Sequence, residues 1–386
     1  MEQLGWLAIG GRVAVQFLPV WAAMALVFAV SIRWKRRLGL YGRVFDSRVG
    51  TLGFALVLFW GLTALFADLI VTHDPFAQVS QMRNAPPGTP LPDPAGRYEV
   101  FLLGGDSIAR DVFSRAVMGA REVLRIAPFA AVISFMIGIA LGLPAGYFGG
   151  KLDTGLTFLA NLVLAFPVIL LFFLLVAPDI QETMLPVTMA GVLFVVPILF
   201  LTVLLNARFF TRPAQRNLYV GAVLVLGVWA WSGLVFNADP LGIWGMSPNI
   251  LNVFVAVVFV NAPTVFRIVR GLTLDIRTRD YVAAAQTRGE GPWYIMMWEI
   301  LPNARGPLIV DFCLRIGYTT ILLGTLGFFG LGVSPESPDW GSTINDGRRL
   351  LTIHPHAALV PAFSLMSLVL GLNLLADGLR EESLKD

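Results

Sequence analysis

Hydrophobic residues in this chain are gathered into nine long runs that polar segments separate. A helix needs about 20 mainly apolar residues to cross a bilayer, and each run approaches that length. The runs cover residues 13–32, 50–71, 125–147, 154–177, 184–205, 218–236, 250–266, 308–330 and 357–376. The pattern therefore predicts an all-α integral membrane protein with about nine spans.

Composition supports this interpretation. Hydrophobic residues make up 56% of the chain and charged residues only 14%, whereas a soluble globular chain carries about 25% charged residues. A single cysteine, Cys313, leaves neither an internal disulfide nor a metal site built from several cysteines. The first run has no small-residue cleavage site beside its basic flank, so we expect a retained span and not a signal peptide.

The placement of basic residues predicts an orientation. Segments 33–48 and 267–305 carry six Lys or Arg each and 206–217 carries three, while 177–183 and 237–249 carry none. Because short loops rich in Lys and Arg stay in the cytoplasm, we expect the N-terminus outside and the C-terminus inside. Segment 72–124 holds five basic residues, but long loops can be translocated despite their charge.

The cytoplasmic loop 267–305 contains a short helix rich in small residues. Asp280 suits an N-cap, Tyr281 to Arg288 are helix formers with alanine at 283–285, and Gly289 suits a C-terminal stop. Small side chains let a helix lie close to a groove on another protein, which leaves Tyr281 and Arg288 for specific contacts.

A second short helix is predicted to begin at Pro292 and to end before Pro302. The positions i, i+3, i+4 and i+7 of its apolar face are Tyr294, Met297, Trp298 and Leu301. This face is expected to pack against the membrane-embedded helices.

Three stretches resemble one family. Tyr-Val-x-Ala-Ala at 281–285, followed by Gly289 and by Ile-Leu-Pro-Asn at 300–303, is similar to the coupling loop, or EAA motif, of ABC importer permeases. The segments LLGGDSIARDVFSRAVMGARE (102–122) and LGFFGLGVSPESPDWGSTINDGR (326–348), with NLLADGLRE (373–381), resemble the C-type transmembrane subunit of the oligopeptide/dipeptide/nickel subfamily. The resemblance covers residues 50–180 and 250–386.

The resemblance implies a six-span type I permease core with additions. Residues 1–49 would add an N-terminal span and a basic cytoplasmic linker, and 181–249 would be an inserted two-span hairpin. Because the spans of this hairpin lack charged residues, we expect it to have a peripheral, lipid-facing or accessory role outside the pathway. The core would comprise 50–180, with an outer loop at 72–124, and 250–386, with the cytoplasmic coupling loop at 267–305. The chain would be the permease of an ATP-driven importer that moves peptides or similar small solutes inward by alternating access.

The implied partners are a second permease subunit in a heterodimer, two ATP-binding subunits that carry ATP and Mg, an extracytoplasmic binding protein and the lipid bilayer. We expect no cofactor on this chain and no nucleic-acid partner. We expect the chain to lie in a bacterial or archaeal cytoplasmic membrane. The predicted ATPase-coupling residues are Tyr281, Ala284, Ala285, Arg288, Gly289, Ile300, Leu301, Pro302 and Asn303. The 26-residue outer loop 331–356 is longer than a turn between two spans needs, so we expect it to contact the partner permease or the binding protein. Its mixed charges and a tryptophan suited to lipid headgroups make Asp339, Trp340, Asp346, Arg348 and Arg349 the predicted binding-protein docking residues.

The chain departs from the family pattern at several positions. Ala283 stands where glutamate is usual, which removes one polar contact expected at the ATPase. In the 102–122 segment, Gly105 replaces threonine, residues 108–109 are Ile-Ala in place of Leu-Gly, and 122–123 are Glu-Val in place of an apolar-serine pair. The nearest fragment to a phosphate-binding loop, residues 145–152, lacks its first glycine and its Ser or Thr after the lysine, so the expectation is that ATP is bound elsewhere.

Other interpretations stay open at this level. A secondary transporter or channel would need carboxylates within the membrane, and Asp68 and Asp311 near span ends are nearly all that the spans contain. The coupling loop could be an ordinary interfacial helix, and residues 324–332 could be a glycine hinge or a site of close packing. The three histidines favour a solvated loop over a nickel site, and an Asp311–Arg315 pair favours charge neutralisation over gating.

Overall fold

A computed structural model describes residues 3–93, 98–242, 246–332 and 336–383 of the 386-residue chain. The regular secondary structure of these residues is helical, apart from one short antiparallel pair, β1 (Thr89–Pro90) with β2 (Val100–Phe101), and an isolated bridge between Gly105 and Asp111. Eight described helices are long and apolar enough to cross a membrane, and a bent pair of helices makes a ninth span if it is counted as one. The all-α membrane fold predicted from the sequence is confirmed.

The helices follow one another along the chain, and the longest connection, residues 71–111, contains β1 and β2. They are α1 (Trp6–Gln16), α2 (Leu18–Trp34), α3 (Gly39–Arg43), α4 (Arg48–Leu65), α5 (Ala67–Ile70), α6 (Val112–Phe148), α7 (Gly150–Leu164), α8 (Val168–Val176), α9 (Pro178–Gln181), α10 (Leu185–Arg208), α11 (Pro213–Phe236), α12 (Pro248–Ile276), α13 (Asp280–Thr287), α14 (Pro292–Tyr294), α15 (Leu301–Asn303), α16 (Arg305–Phe328), α17 (Trp340–Gly347) and α18 (His356–Ser383). A π-helical turn, Ile295–Ile300, joins α14 to α15.

The chain forms two compact units, and the first comprises residues 1–128 and 313–386. Within it, α4 and α18 approach closely because glycines face each other. A Cβ added at Gly371 would lie 2.7 Å from Leu56 Cβ. The Trp60 indole N–H donates to Ser367 Oγ at 2.9 Å across the same pair. Small residues of this kind let helices associate without a hydrophobic driving force in lipid.

The second unit comprises residues 129–312 and is organised around α12. In the most apolar stretch of α12, 72% of the residues are buried, against 22% in α10 and 11% in α11. Gly142 of α6 lies against α12, where an added Cβ would be 2.8 Å from Val269 Cβ. The helices α10 and α11 form a hairpin in which the Trp231 indole donates to the Gly191 carbonyl at 2.9 Å. This hairpin lies within residues 181–249, where the sequence predicts an inserted pair, and the peripheral role of that pair stays a prediction.

Two predicted spans differ in the structure. The run at 154–177 is not one straight helix, because α7 and α8 are bent by 81° at a break before Pro167. Proline has no N–H to continue the helix and disfavours helical geometry in the residue before it, which is Phe166. The first run is likewise divided at Phe17, two residues before Pro19, so that α2 is the candidate span and α1 precedes it.

Candidate functional site

The helix α13 has one buried and one exposed face. Val282 and Ala285 are fully buried, whereas Tyr281, Ala284 and Arg288 are exposed. The prediction that Ala285 presents its side chain to a partner is therefore wrong, because it lies one helical turn after Val282 and packs inward with it. The N-cap is Arg279, and Asp280, predicted as the cap, is the first helical residue.

Gly289 ends α13 in the way that the sequence predicts. Its φ is +81°, in the left-handed region that favours glycine. Its N–H donates to the Gln286 carbonyl at 2.9 Å, and the next amide, from Glu290, donates to the Ala285 carbonyl at 3.2 Å. The chain therefore turns sharply with its last helical carbonyls paired.

Residues 292–303, here called the coupling segment, are one nearly continuous helical rod. Pro302 occupies a first-turn position of α15, and only Ala304 separates α15 from α16. The predicted end before Pro302 is therefore wrong. The predicted apolar face is confirmed for Met297, which is buried, and for Trp298 and Leu301, which pack against the same cluster. A π-helical turn adds residues to the turn, so Ile295, Met296 and Ile300 are buried as well. Tyr294, predicted on that face, is 36% exposed.

The inner face of α13 and the coupling segment share a single apolar cluster. It joins Val282 and Ala285 to the buried residues of the π-helical turn, and to Val265 and Val269 of α12. On the exposed side, Arg288 Nη2 donates to Glu299 Oε1 at 3.1 Å. A displacement of α13 would therefore be passed to the coupling segment through packed side chains.

The nine predicted coupling residues thus fall into three groups. The exposed ones are Tyr281, Ala284, Arg288, Gly289, Pro302 and Asn303, the partly buried one is Leu301, and the buried ones are Ala285 and Ile300. The Asn303 amide donates to the Glu299 carbonyl at 2.6 Å, so that this side chain also stabilises the rod. Only the exposed group can contact another protein without rearrangement.

The predicted outer docking site is divided in the same way. Trp340 is fully buried, its indole N–H donates to the Ala116 carbonyl at 2.8 Å, and its ring lies edge-on against Trp60 with 5.0 Å between centroids. Its predicted position among lipid headgroups is therefore wrong. Gly119 of α6 explains the burial, because an added Cβ there would lie 2.6 Å from the Trp340 Nε1 atom.

Asp339 is also unavailable for docking. It is 8% exposed and caps α17, where its carboxylate accepts from the Ser342 N–H at 2.9 Å and from the Ser342 hydroxyl at 2.6 Å. Burial raises the pKa of this carboxyl above its ordinary value. The nearby Gly327 lets α17 approach α16, since an added Cβ would be 2.8 Å from the Ser342 nitrogen. This glycine therefore serves close packing.

An ionic network that sequence reasoning missed holds α17 in place. Arg110 donates to Asp106 at 2.7 Å and to Asp346 at 2.6 Å. Arg115 is fully buried and donates to the Ser337 carbonyl at 2.8 Å. The i, i+4 spacing of Asp106 and Arg110 could have predicted their ion pair. The partners of the two arginines in 337–346 lie more than 200 residues away along the chain and could not be predicted.

Arg348 and Arg349 are the exposed members of the predicted docking set. The Arg348 guanidinium lies 5.0 Å from the centroid of the Phe328 ring, which orients it by a cation–π contact. Asp346 is one-third exposed on its side chain. The two exposed members of the predicted docking set are therefore both basic.

The histidines take structural positions. The His356 Nε2 atom lies 3.2 Å from the Gly105 carbonyl oxygen, and the His73 Nδ1 atom lies 3.1 Å from Thr72 Oγ1. Among the described residues, no three His, Cys, Asp or Glu side chains group in a way that could hold a metal ion.

The family is decided by residues 138–381, which match the model of the binding-protein-dependent transport system inner membrane component. The chain belongs to this family. The chain resembles the glutathione transport system permease protein of Pectobacterium atrosepticum, with 31% identity over 74% of this chain and 73% of the relative. It is 28% identical to the dipeptide transport system permease protein of Alkalihalophilus pseudofirmus, over 87% and 85% of the two chains.

A di/tripeptide transport system permease protein of Pseudomonas aeruginosa is similarly related, at 28% identity over 86% of this chain and 85% of its own. The chain is thus a multi-pass membrane permease of an ABC importer, in the oligopeptide/dipeptide subfamily that its motifs predict. Its family consists of permease subunits, which are not themselves enzymes.

Proposed function

We propose that α13 is the element through which separate ATP-binding subunits drive this permease. The observation that carries the proposal is the two-sided burial of α13. Its inner face is fixed by Val282 and Ala285, while Tyr281, Ala284 and Arg288 are exposed without a covering element of the described chain. An exposed alanine at the centre of that face suits a close-fitting groove.

The packing of α13 supplies a route for motion. Closure of the ATP-binding pair would displace the groove that holds α13, and the shared cluster would carry the displacement into the coupling segment. A change at one end then biases two arrangements of the spans, inward-open and outward-open. ATP and Mg belong to the partner subunits in this arrangement, and the chain itself needs no cofactor.

The remaining parts of the proposal follow the charge pattern and the relatives. The basic segments 33–48, 206–217 and 267–305 support a cytoplasmic coupling loop and C-terminus with the N-terminus outside. A second permease subunit completes a heterodimer in a bacterial or archaeal cytoplasmic membrane. Peptides are the proposed cargo, because the relatives are named for glutathione, dipeptides and di- or tripeptides.

Docking of the outer binding protein is proposed at Arg348 and Arg349, with the exposed edge of Asp346. Asp339 and Trp340 are withdrawn from that surface because both are buried. The positive charges of Arg348 and Arg349 favour a binding protein that presents carboxylates to them.

The test compares Ala284→Arg with Ala214→Arg, an identical change at an exposed alanine in the first turn of α11. In vesicles with the partner subunits, Ala284→Arg should insert normally but lose ATPase coupling and transport. Overpacking costs about 1–3 kcal/mol, which corresponds to roughly 5- to 150-fold weaker coupling. The control should behave as wild type. Wild-type coupling in Ala284→Arg, or an equal defect in the control, would refute the assignment.

A further inference from the structure

A cleft in the second unit lies between the coupling segment and the inserted hairpin. Its volume is about 390 Å³, within the roughly 300–1,000 Å³ range of ligand pockets. Its walls come from Leu204 of α10, Phe135 of α6, Phe312 of α16, and Trp298 and Leu301 of the coupling segment. An apolar wall of this kind suits a hydrocarbon chain.

Two arginines lie at this cleft. Arg305 is one of its lining residues, and the Arg208 guanidinium carbon is 4.9 Å from the centroid of the Trp298 ring. Both side chains are exposed, and neither forms an ion pair within the described part of the chain. The cleft therefore combines an apolar interior with two cations that have no carboxylate within ion-pair distance among the described residues.

The positions of these arginines place them at the level of lipid headgroups. Arg208 is the last residue of the candidate span α10, and Arg305 is the first residue of the candidate span α16. Basic residues at span ends extend toward the membrane surface while their apolar stems stay along the hydrocarbon. Basic pockets between spans are suited to anionic headgroups.

We propose that this cleft binds one anionic phospholipid, with an acyl chain along Leu204 and Phe312 and the phosphate beside Arg208 and Arg305. The charge of the site selects the occupant, because a zwitterionic lipid offers the same chain without net attraction to two arginines. Bound there, the lipid bridges the hairpin and the coupling segment, and gives the hairpin a part in holding that segment. This inference does not depend on the proposed docking of α13.

The test counts lipids on the purified transporter by native mass spectrometry. The full-length chain in its assembled complex is titrated with phosphatidylglycerol or with phosphatidylcholine of the same acyl chains. Wild type should retain one phosphatidylglycerol more tightly. Arg208→Gln with Arg305→Gln should weaken it by roughly 25-fold if each arginine contributes about fivefold, the equivalent of about 1 kcal/mol.

The matched control is Arg212→Gln with Arg216→Gln, which removes the same charge from the tip of the same hairpin, away from the cleft lining. It should keep the phosphatidylglycerol preference. Equal loss in the control would mean a general basic surface, and an unchanged preference in the cleft variant would mean no site; either result overturns the proposal.

Two further measurements fix the occupant. Leu204→Trp should fill the cleft and weaken phosphatidylglycerol binding without changing charge, and unaltered binding would remove the acyl chain from the cleft. Inorganic phosphate should fail to displace the lipid at comparable concentration. Displacement would assign the arginines to free phosphate and would overturn a lipid site.

Discussion

Trp340 offers a direct test of how the outer segment is held, because the sequence and the structure place it in different surroundings. The change is Trp340→Phe, which keeps an aromatic ring but removes the N–H that donates to the Ala116 carbonyl at 2.8 Å. It also shortens a side chain that is fully buried. We expect a clear loss of stability, which a tryptophan at the lipid headgroups would not show.

The magnitude follows from two contributions. A typical hydrogen bond contributes about 0.5–1.5 kcal/mol. The smaller ring leaves about two carbon positions unfilled, at about 0.8 kcal/mol each. The expected decrease in the free energy of unfolding is therefore about 2–3 kcal/mol. A double-mutant cycle with Trp60→Phe should add a coupling of about 0.5–1.5 kcal/mol for the edge-on ring pair.

The assay is reversible unfolding of the purified chain by sodium dodecyl sulfate in mixed micelles, followed by circular dichroism. The matched control is Trp6→Phe, since Trp6 is 74% exposed; it should change the free energy of unfolding by less than about 0.5 kcal/mol. If Trp340→Phe and Trp6→Phe unfold with equal free energies, the buried position and its hydrogen bond are refuted.

Three other predictions concern single features. In Gly289→Ala the added methyl group meets open space, but the residue must still adopt a φ of +81°. The change should therefore lower the free energy of unfolding by about 1–2 kcal/mol and speed amide hydrogen exchange at the end of α13. Unchanged exchange would contradict this prediction. Because burial raises the Asp339 pKa, the folded state holds the proton more tightly, and the free energy of unfolding should fall as the pH rises above the ordinary aspartate pKa of about 4. Asp339→Asn should cap α17 equally well and remove that slope, and a slope that persists would assign it to another group. Reversal of Arg348 and Arg349 to Glu should raise the half-saturating binding-protein concentration at low salt and less at high salt, because exposed charges are screened beyond about 8–10 Å at physiological ionic strength; no change at low salt would remove both from docking.

Features set by local sequence could be predicted well. Hydropathy located the spans because a membrane helix must satisfy its own backbone, whatever its neighbours are. Gly289 was identified as a helix stop because a positive φ is a local demand on one residue. The break before Pro167 has the same local origin. The proline is visible in the predicted span, but a hydropathy profile does not register it as a helix breaker.

Features set by distant contacts could not be predicted. Trp340 looked like a residue for the membrane surface, yet its burial depends on Gly119 and Trp60, which are more than 200 residues away. Ala285 looked equivalent to Ala284, since composition does not tell which side of a short helix faces the bundle. The π-helical turn likewise widens the buried face of the coupling segment by Ile295, Met296 and Ile300, which a 3.6-residue period does not anticipate.

The close pairing of α4 with α18 has a consequence for biosynthesis. Trp60 and Ser367, which bond across the pair, are 307 residues apart. At about 5–20 residues per second, the ribosome needs roughly 15–60 s between them. During that interval α4 lies in the membrane before α18 has been synthesised, so its glycine face is not packed and the Trp60 indole N–H has not yet met Ser367. The newly inserted chain therefore exposes a packing face to other membrane helices until its last span is inserted.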